Sequence, residues 1–322
     1  MRVRILTAAD INRCFSMPQA INAMKSAFTQ LSEGTAIVPD RVSVNVDAGV
    51  SLYMPGYLPE GGHLAAKIVT VFPENRKSGF PVIQGVVLVL DSETGEVKAL
   101  MDGSYVTALR TGAASGLATH ILALPDSSVL TVFGAGAQAR TQVEAVRAVR
   151  TIEEIRIVDK SNENAELFAG EIDGAHVTVM EDARQAVSGA QVIITATDSL
   201  EPVFPGSVLG PGTHVNAIGA FTPEMRELDG DLVSKAKVVV DYRETVMVEA
   251  GDLTQAIDEG FFSLDQIHAE LGELVNESRP GRENSEEITV FKSVGNAVQD
   301  VAVAGAILEQ AESLESGSLV DL

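Results

Sequence analysis

A single cysteine, Cys14, rules out an internal disulfide framework. It lies in a segment of amphipathic spacing with no histidine nearby, which suits a small buried hydrophobe better than a nucleophile. Tryptophan is absent and lysine is scarce, with 8 lysines among 23 basic residues against 45 acidic ones. The formal net charge is −22 and the pI about 4.5. So anionic a chain lacks the cationic footprint that nucleic acids and anionic membrane surfaces require. No apolar run approaches the roughly 18 residues that span a bilayer. The opening MRVRILTAADINRCF has two arginines but neither an apolar core nor a small-residue cleavage site, so no secretory leader is expected. The five histidines (His63, His120, His176, His214, His268) show no metal-ligand spacing, and no GxSxG is present. Neither a metal nor a serine nucleophile is expected, and GRENSEE (281–287) reads as a solvated loop. What remains is a cytoplasmic protein. Its carboxylate-rich, lysine-poor surface suits a high-salt interior, where bound hydration is held and self-repulsion is screened.

Hydrophobic residues make up 45% of the 322, enough to fill two domain cores. Residues 18–33 place Ile21, Met24, Ala27, Phe28 and Leu31 at helical spacing, opened by Pro18 and closed by Gly34. Short strand-like runs follow at 41–46, 64–72 and 82–90, and DSETGEV (91–97) reads as a hairpin connection. These predict an α+β first domain on a mainly antiparallel sheet. After a helix near 104–123 the pattern changes. Apolar runs at 128–133, 154–158, 191–196, 213–218 and 237–240 alternate with helical segments, the rhythm of a parallel sheet covered on both faces. The expected division is 1–123 with 296–322 as one domain and 124–295 as the other, the last helix (about 295–315) returning to the first.

The second domain carries the clearest chemistry. SVLTVFGAGAQA (128–139) contains Gly134-x-Gly136-x-x-Ala139, directly after an apolar strand and before a helix. Gly134 allows the tight turn, Gly136 lets backbone approach a pyrophosphate, and Ala139 permits close helix–sheet packing. The helix start then offers unpaired N–H groups to the phosphates. Asp159 ends the next strand, 23 residues after Gly136, where a carboxylate accepts both ribose hydroxyls and repels a 2′-phosphate. This favours NAD, while Lys160 beside it leaves NADP open. The reading is a Rossmann-type doubly wound α/β parallel sheet. Loops at 196–199 and 218–221, after later strands, fall where open α/β sheets bind ligands.

On several ordered motifs the chain resembles the ornithine cyclodeaminase/μ-crystallin family over almost its whole length. They are AAKIVTVFPEN with Lys67, GFPVIQGVVLVLDSETGEVKALMDG (79–103), ALRTGAASGLAT (108–119), GAGAQA (134–139) and VFKSVGNAVQD (290–300). The resemblance implies a homodimer whose first domain supplies substrate contacts and the subunit interface, a nicotinamide cofactor, and an L-amino acid or imino acid substrate. Positions matching the family's substrate contacts are Arg41, Lys67 and Arg110, with Val294 beside the substrate. Those matching its cofactor contacts are Ala137, Gln138, Asp159, Thr197, Gly219 and Ser293, besides Gly134 and Gly136 of the glycine motif. In one segment the chain departs from the cyclodeaminases, which carry an aspartate in GAD-x-PG. Here Gly219-Ala220-Phe221-Thr222-Pro223-Glu224 places Phe221 at that position. A benzyl group can neither move a proton nor hold an ammonium by charge. Met225 and Val82 likewise replace the lysine and threonine of some cyclodeaminases. The segment is closer to μ-crystallin, ketimine reductases and alanine dehydrogenases.

An enzyme of that branch must hold an α-carboxylate, place the reacting carbon against the nicotinamide, and manage one proton. The planar fork of arginine suits the carboxylate, and Arg110 and Arg41 are the candidates. Lys67 interrupts an apolar strand, where desolvation would lower its pKa and make it a proton donor or acceptor. The expected activity is NAD(P)-dependent, either alanine dehydrogenase-like or of the cyclic ketimine/pyrroline-2-carboxylate reductase kind. Ornithine cyclodeamination and a non-catalytic, μ-crystallin-like NAD(P)-binding protein are the alternatives.

Overall fold

The computed structural model describes residues 1–322, the side chain of Arg76 excepted. The chain divides into two units, Met1–Arg110 with Ala297–Leu322, and Thr111–Asn296. The strands of the first are β1 (Arg2–Leu6), β2 (Val42–Val46), β3 (Gly49–Leu58), β4 (His63–Val71), β5 (Ile83–Asp91) and β6 (Val97–Asp102). Those of the second are β7 (Val129–Phe133), β8 (Glu154–Val158), β9 (His176–Val179), β10 (Val192–Thr195), β11 (His214–Ala217), β12 (Lys237–Val240), β13 (Ile267–Glu270) and β14 (Thr289–Lys292). The last strand, β15 (Ser318–Asp321), returns to the first.

In the first unit the strand order is β15-β1-β6-β5-β4-β3-β2, antiparallel except where β1 meets β6. Alternation along the strands sorts side chains to two faces. One carries Met54, Lys67 and Val87 in register, each nearly or fully buried. The helix Ala297–Ser313, buried on most of its circumference, packs among β3, β4 and the helix Met17–Ser32. The other face carries Val42, Tyr53, Ile68 and Val86 in register. Val42 is 58% exposed and Val44 47%, while Tyr53 and Val86 are at 40% and 37%. β3 escapes a reading by pattern because Pro55-Gly56 looks like a turn. Its pairing with β2 ends at Tyr53, so Pro55 sits on the open edge, where a missing N–H costs little.

In the second unit the order is β13-β12-β14-β11-β10-β7-β8-β9, every pair parallel. Cores fill both faces, one with Leu130, Val132, Ile155 and Ile157, the other with Phe133, Val215, Val240 and Val290. Each such side chain contributes about 1.5–3 kcal/mol when fully buried. The expected doubly wound sheet is therefore present. The central strands are buried on both faces, so their polar residues need internal partners. His214 bonds Thr289 Oγ1 through Nδ1 (2.9 Å) and Asn216 through Nε2 (3.2 Å), and Asn216 donates to Thr119 Oγ1 (2.9 Å). Burial, aided by the Arg282 charge, pushes the His214 pKa down to about 3 and keeps the ring neutral.

The division falls inside the helix Gly103–Leu122, whereas the change of sequence pattern near 124 marks only where that helix ends. Residues from Thr111 onward belong with the parallel sheet. Thr141 lies against Gly112, and Arg150 donates to the carbonyls of Thr119, His120 and Ala123. Among the described residues no helix is long and apolar enough to cross a membrane.

Candidate active site

Lys67 of β4 and Asp300 of the helix Ala297–Ser313 meet in the interior of the first unit, Nζ lying 2.7 Å from Oδ2. Arg110 Nε lies 3.2 Å from the other oxygen of the same carboxylate, and its Nη1 donates to Gln299 Oε1 at 2.8 Å. One carboxylate thus separates two buried cations. Arg41, half-buried at the start of β2, is a third whose charge reaches Lys67. Burial is the main force lowering the Lys67 pKa to about 8. Asp300 opposes it, while Arg110 and Arg41 add to it. Lys67 and Arg110 share one carboxylate, so this buried pair of cations carries more positive charge than Asp300 neutralises. A substrate carboxylate would complete it, and a purely cationic substrate would not. Of the three cations foreseen from sequence, Lys67 and Arg110 meet on one carboxylate, and Arg41 reaches Lys67 by its charge. Asp300, which completes the cluster, was not foreseen. Its signal is a lone acid inside the apolar run AVQDVAVAGAI.

In the second unit the strand order reverses between β7 and β10, the point where open α/β sheets leave a crevice at their carboxyl ends. The glycine motif lies in the loop that follows β7. Gly134 has φ +103, and a Cβ there would lie 2.5 Å from the Ala196 carbonyl oxygen. Gly136 caps the helix Ala137–Val149, with nothing within 4 Å of where its Cβ would be. Gly134 is thus needed by the fold, whereas the space at Gly136 is needed only by something arriving from outside. Gln138 has a buried side-chain oxygen without a hydrogen-bond partner, the kind of group a ligand satisfies. Asp159 accepts from Ala135 N and from Ser161 N, each at 2.8 Å, which holds its carboxylate against the glycine loop. Loop, helix start and carboxylate together fit a dinucleotide.

Thr197 and Gly219, after β10 and β11, are drawn together by a residue not foreseen from sequence. Glu227 is fully buried and accepts from Thr197 N (2.6 Å), Thr197 Oγ1 (2.7 Å), Thr195 Oγ1 (2.8 Å), Gly219 N (2.7 Å) and Ala220 N (3.2 Å). Behind it, Asp252 accepts from the backbone N–H groups of Glu227 and Leu228 and pairs with Lys292 at 2.7 Å. Burial and the Asp252 charge push the Glu227 pKa up; Lys292 and the Thr197 hydrogen bonds pull against them. Ser293 and Val294 are held by a different acid. Asp241 Oδ2 accepts from Ser293 Oγ (2.7 Å), Val294 N (3.1 Å) and Gly295 N (2.8 Å). Phe221, at the position of the cyclodeaminase aspartate, is 40% exposed.

The ornithine cyclodeaminase/mu-crystallin family model matches residues 1–315. The chain belongs to this family. It is 40% identical to the Delta(1)-pyrroline-2-carboxylate reductase of Bacillus cereus over 319 residues, 97% of each chain. Among solved structures, it is similar to the Thermococcus litoralis Delta(1)-pyrroline-2-carboxylate reductase in complex with NADH and L-proline. That match has 41% identity and a TM-score of 0.94, and covers 98% of this chain and 99% of the other. A dimeric archaeal alanine dehydrogenase with bound NAD is 37% identical, with a TM-score of 0.93 and full coverage of both chains.

Proposed function

We propose that this chain reduces a small cyclic imino acid of the pyrroline-2-carboxylate type to the corresponding L-amino acid. It is an NAD(P)-dependent oxidoreductase of the ornithine cyclodeaminase/mu-crystallin family acting on an L-amino acid or its imine. Two pyrroline-2-carboxylate reductases at 40–41% identity, against 37% for the alanine dehydrogenase, favour the cyclic imine over pyruvate with ammonium. The observation that carries the reading is the buried Lys67–Asp300–Arg110 cluster.

NAD supplies the carrier that gives a hydride to, or takes it from, the substrate carbon. Gly134, Gly136, Ala137 and Gln138 would hold its pyrophosphate, Asp159 its adenosine ribose, and Thr197, Gly219 and Ser293 its other half. Arg110 and Arg41 take the substrate carboxylate, each as a planar donor fork. Lys67, protonated below pH about 8, donates the proton that the imine nitrogen needs, and Asp300 holds Nζ in place. Val294 is the position that matches a residue beside the substrate in the family. Phe221 argues against ornithine cyclodeamination because it offers no carboxylate for the amino group.

Three further readings go with this one. The protein is a homodimer joined through the exposed apolar face of the first-unit sheet, whose unit also binds the substrate. It works in the cytoplasm, consistent with its lone, buried Cys14. Its charge of −22 suits high salt. The deciding experiment is an NADH-oxidation screen in molar KCl. It compares Δ1-pyrroline-2-carboxylate, Δ1-piperideine-2-carboxylate and pyruvate plus ammonium, with ornithine conversion followed alongside. Turnover of a cyclic imine well above pyruvate is expected. Faster alanine formation would move the chain to the alanine dehydrogenases. Proline made from ornithine without added NADH would reinstate the cyclodeaminase. Cofactor binding with no turnover at all would leave a binding protein.

A further inference from the structure

Two loops of the second unit close around one carboxylate. The segment Thr195–Thr197 ends β10, and Gly219-Ala220 follow its neighbour β11. Glu227 accepts three backbone N–H groups and two hydroxyls from them, all within 3.2 Å. Five inward-pointing donors are the complement of an ionised carboxylate; a glutamine there would turn an N–H against some of them. The charges nearby do not cancel. Lys292 is paired with Asp252 at 2.7 Å, and both are fully buried. Arg226, whose charge also reaches Asp252, is paired with Glu259 at 2.6 Å, so two cations face three carboxylates and Glu227 is the anion left over. Holding loops in shape does not by itself call for a buried unpaired charge, which is costly.

Topology says what that charge lies beneath. Asp159 ends β8 and the glycine loop follows β7. A dinucleotide with its adenosine ribose at the first and its pyrophosphate at the second therefore runs across the switch point. Its other half comes to lie over β10 and β11. We propose that Glu227 is a positioning residue with an electrostatic function, holding both loops beneath the nicotinamide and favouring the cationic, oxidised ring over the neutral, reduced one. Glu227 need touch neither cofactor nor substrate. Stabilising the oxidised form makes the bound reduced cofactor a stronger hydride donor, the bias that imine reduction uses. This inference rests on the cofactor placement given under the proposed function.

The test is the ratio of dissociation constants for NAD+ and NADH, measured by calorimetry and NADH fluorescence on the full chain, without substrate. In Glu227→Gln the ratio Kd(NAD+)/Kd(NADH) should rise about tenfold as the field is removed. Tenfold corresponds to about 30 mV in the two-electron potential of the bound couple. Glu227→Asp keeps the charge and should weaken both forms while leaving the ratio within about twofold of the parent. A purely structural role would weaken both forms equally in both variants, and an unmoved ratio in Glu227→Gln overturns the proposal. If that variant does not fold, Asp252→Asn leaves Lys292 free to offset Glu227 and must shift the ratio in the same direction; no shift there overturns it equally. Failure of the parent protein to bind either form would instead refute the cofactor site itself.

Discussion

Lys67 Nζ lies 2.7 Å from Asp300 Oδ2, and each side chain is 2% exposed. Because Asp300 also meets Arg110 Nε at 3.2 Å, the lysine shares this counter-charge with a second cation. Its pKa, lowered to about 8 chiefly by burial, lies below the unfolded value of 10.5. Two consequences have opposite senses. Imine reduction needs the protonated lysine, so kcat/KM should fall as pH rises above about 8, and Asp300→Asn should move that fall to lower pH. Stability goes the other way. Between pH 8 and 10.5 the unfolded chain binds more protons, so the parent should gain about 3 kcal/mol relative to Lys67→Met as pH climbs through that window. Denaturant melts at pH 7 and 10.5 measure the second. An unmoved pH profile in Asp300→Asn would remove Lys67 as the proton donor.

Arg110, held by Asp300 and Gln299, is assigned to the substrate carboxylate and not to the cofactor. Arg110→Ala should raise the imine KM by about 10- to 100-fold, the worth of a charge-assisted pair, and leave the NADH Kd within about twofold. Equal loss of both would show that the side chain supports the fold of the site and not the substrate.

Two glycines separate loop shape from ligand space. At Gly219 a Cβ would fall 2.2 Å from Thr197 O and 2.4 Å from a Glu227 oxygen, so Gly219→Ala should lower both Tm and NADH affinity. At Gly136 nothing lies within 4 Å. Gly136→Ala should leave Tm unchanged and raise the NADH Kd about tenfold by standing in the way of the pyrophosphate. A Gly136→Ala variant that binds NADH normally would place the phosphates elsewhere.

Much of the architecture was readable because periodicity reports burial. The runs at β7, β10 and β12 are largely apolar since both of their faces are covered, β8 alternates, and the helices Met17–Ser32 and Ala297–Ser313 carry their own spacing. Lys67 was legible as a lone charge in an apolar strand. Lys292, in TVFK of β14, carries the same signal, yet its partner Asp252 is 40 residues away, and no local pattern joins them. Glu227 is opaque for a similar reason. Its neighbours Arg226 and Asp229 mark RELD as an ordinary polar loop, and only the fold closes two distant strand ends over it. β1 and β15 escaped because they are short and pair with each other from opposite ends of the chain, β15 forming the sheet edge.

The charge balance predicts a salt response. With a net charge of −22, Tm should rise steadily between 0.1 M and 2 M KCl, well beyond the range where simple screening saturates. Equal Tm and equal turnover across that range would make the acidity a matter of solubility alone.

The last prediction concerns the uncovered face of the first-unit sheet. Val42, Val44, Tyr53 and Val86 lie on one side of three strands, all more than a third exposed. A contiguous apolar patch on an edge-bearing sheet is costly to leave in water and invites pairing. A second copy of the same face would bury it under two-fold symmetry, since an isologous interface needs one self-complementary patch. Sedimentation in molar KCl should therefore give a mass near twice 33.9 kDa. Val44→Asp with Tyr53→Asp sets like charges against each other across that interface and should yield monomers that still bind NADH, because the glycine loop lies in the other unit. A parent protein that sediments as a monomer at micromolar concentration, or a double variant that stays dimeric, would move the interface to another surface.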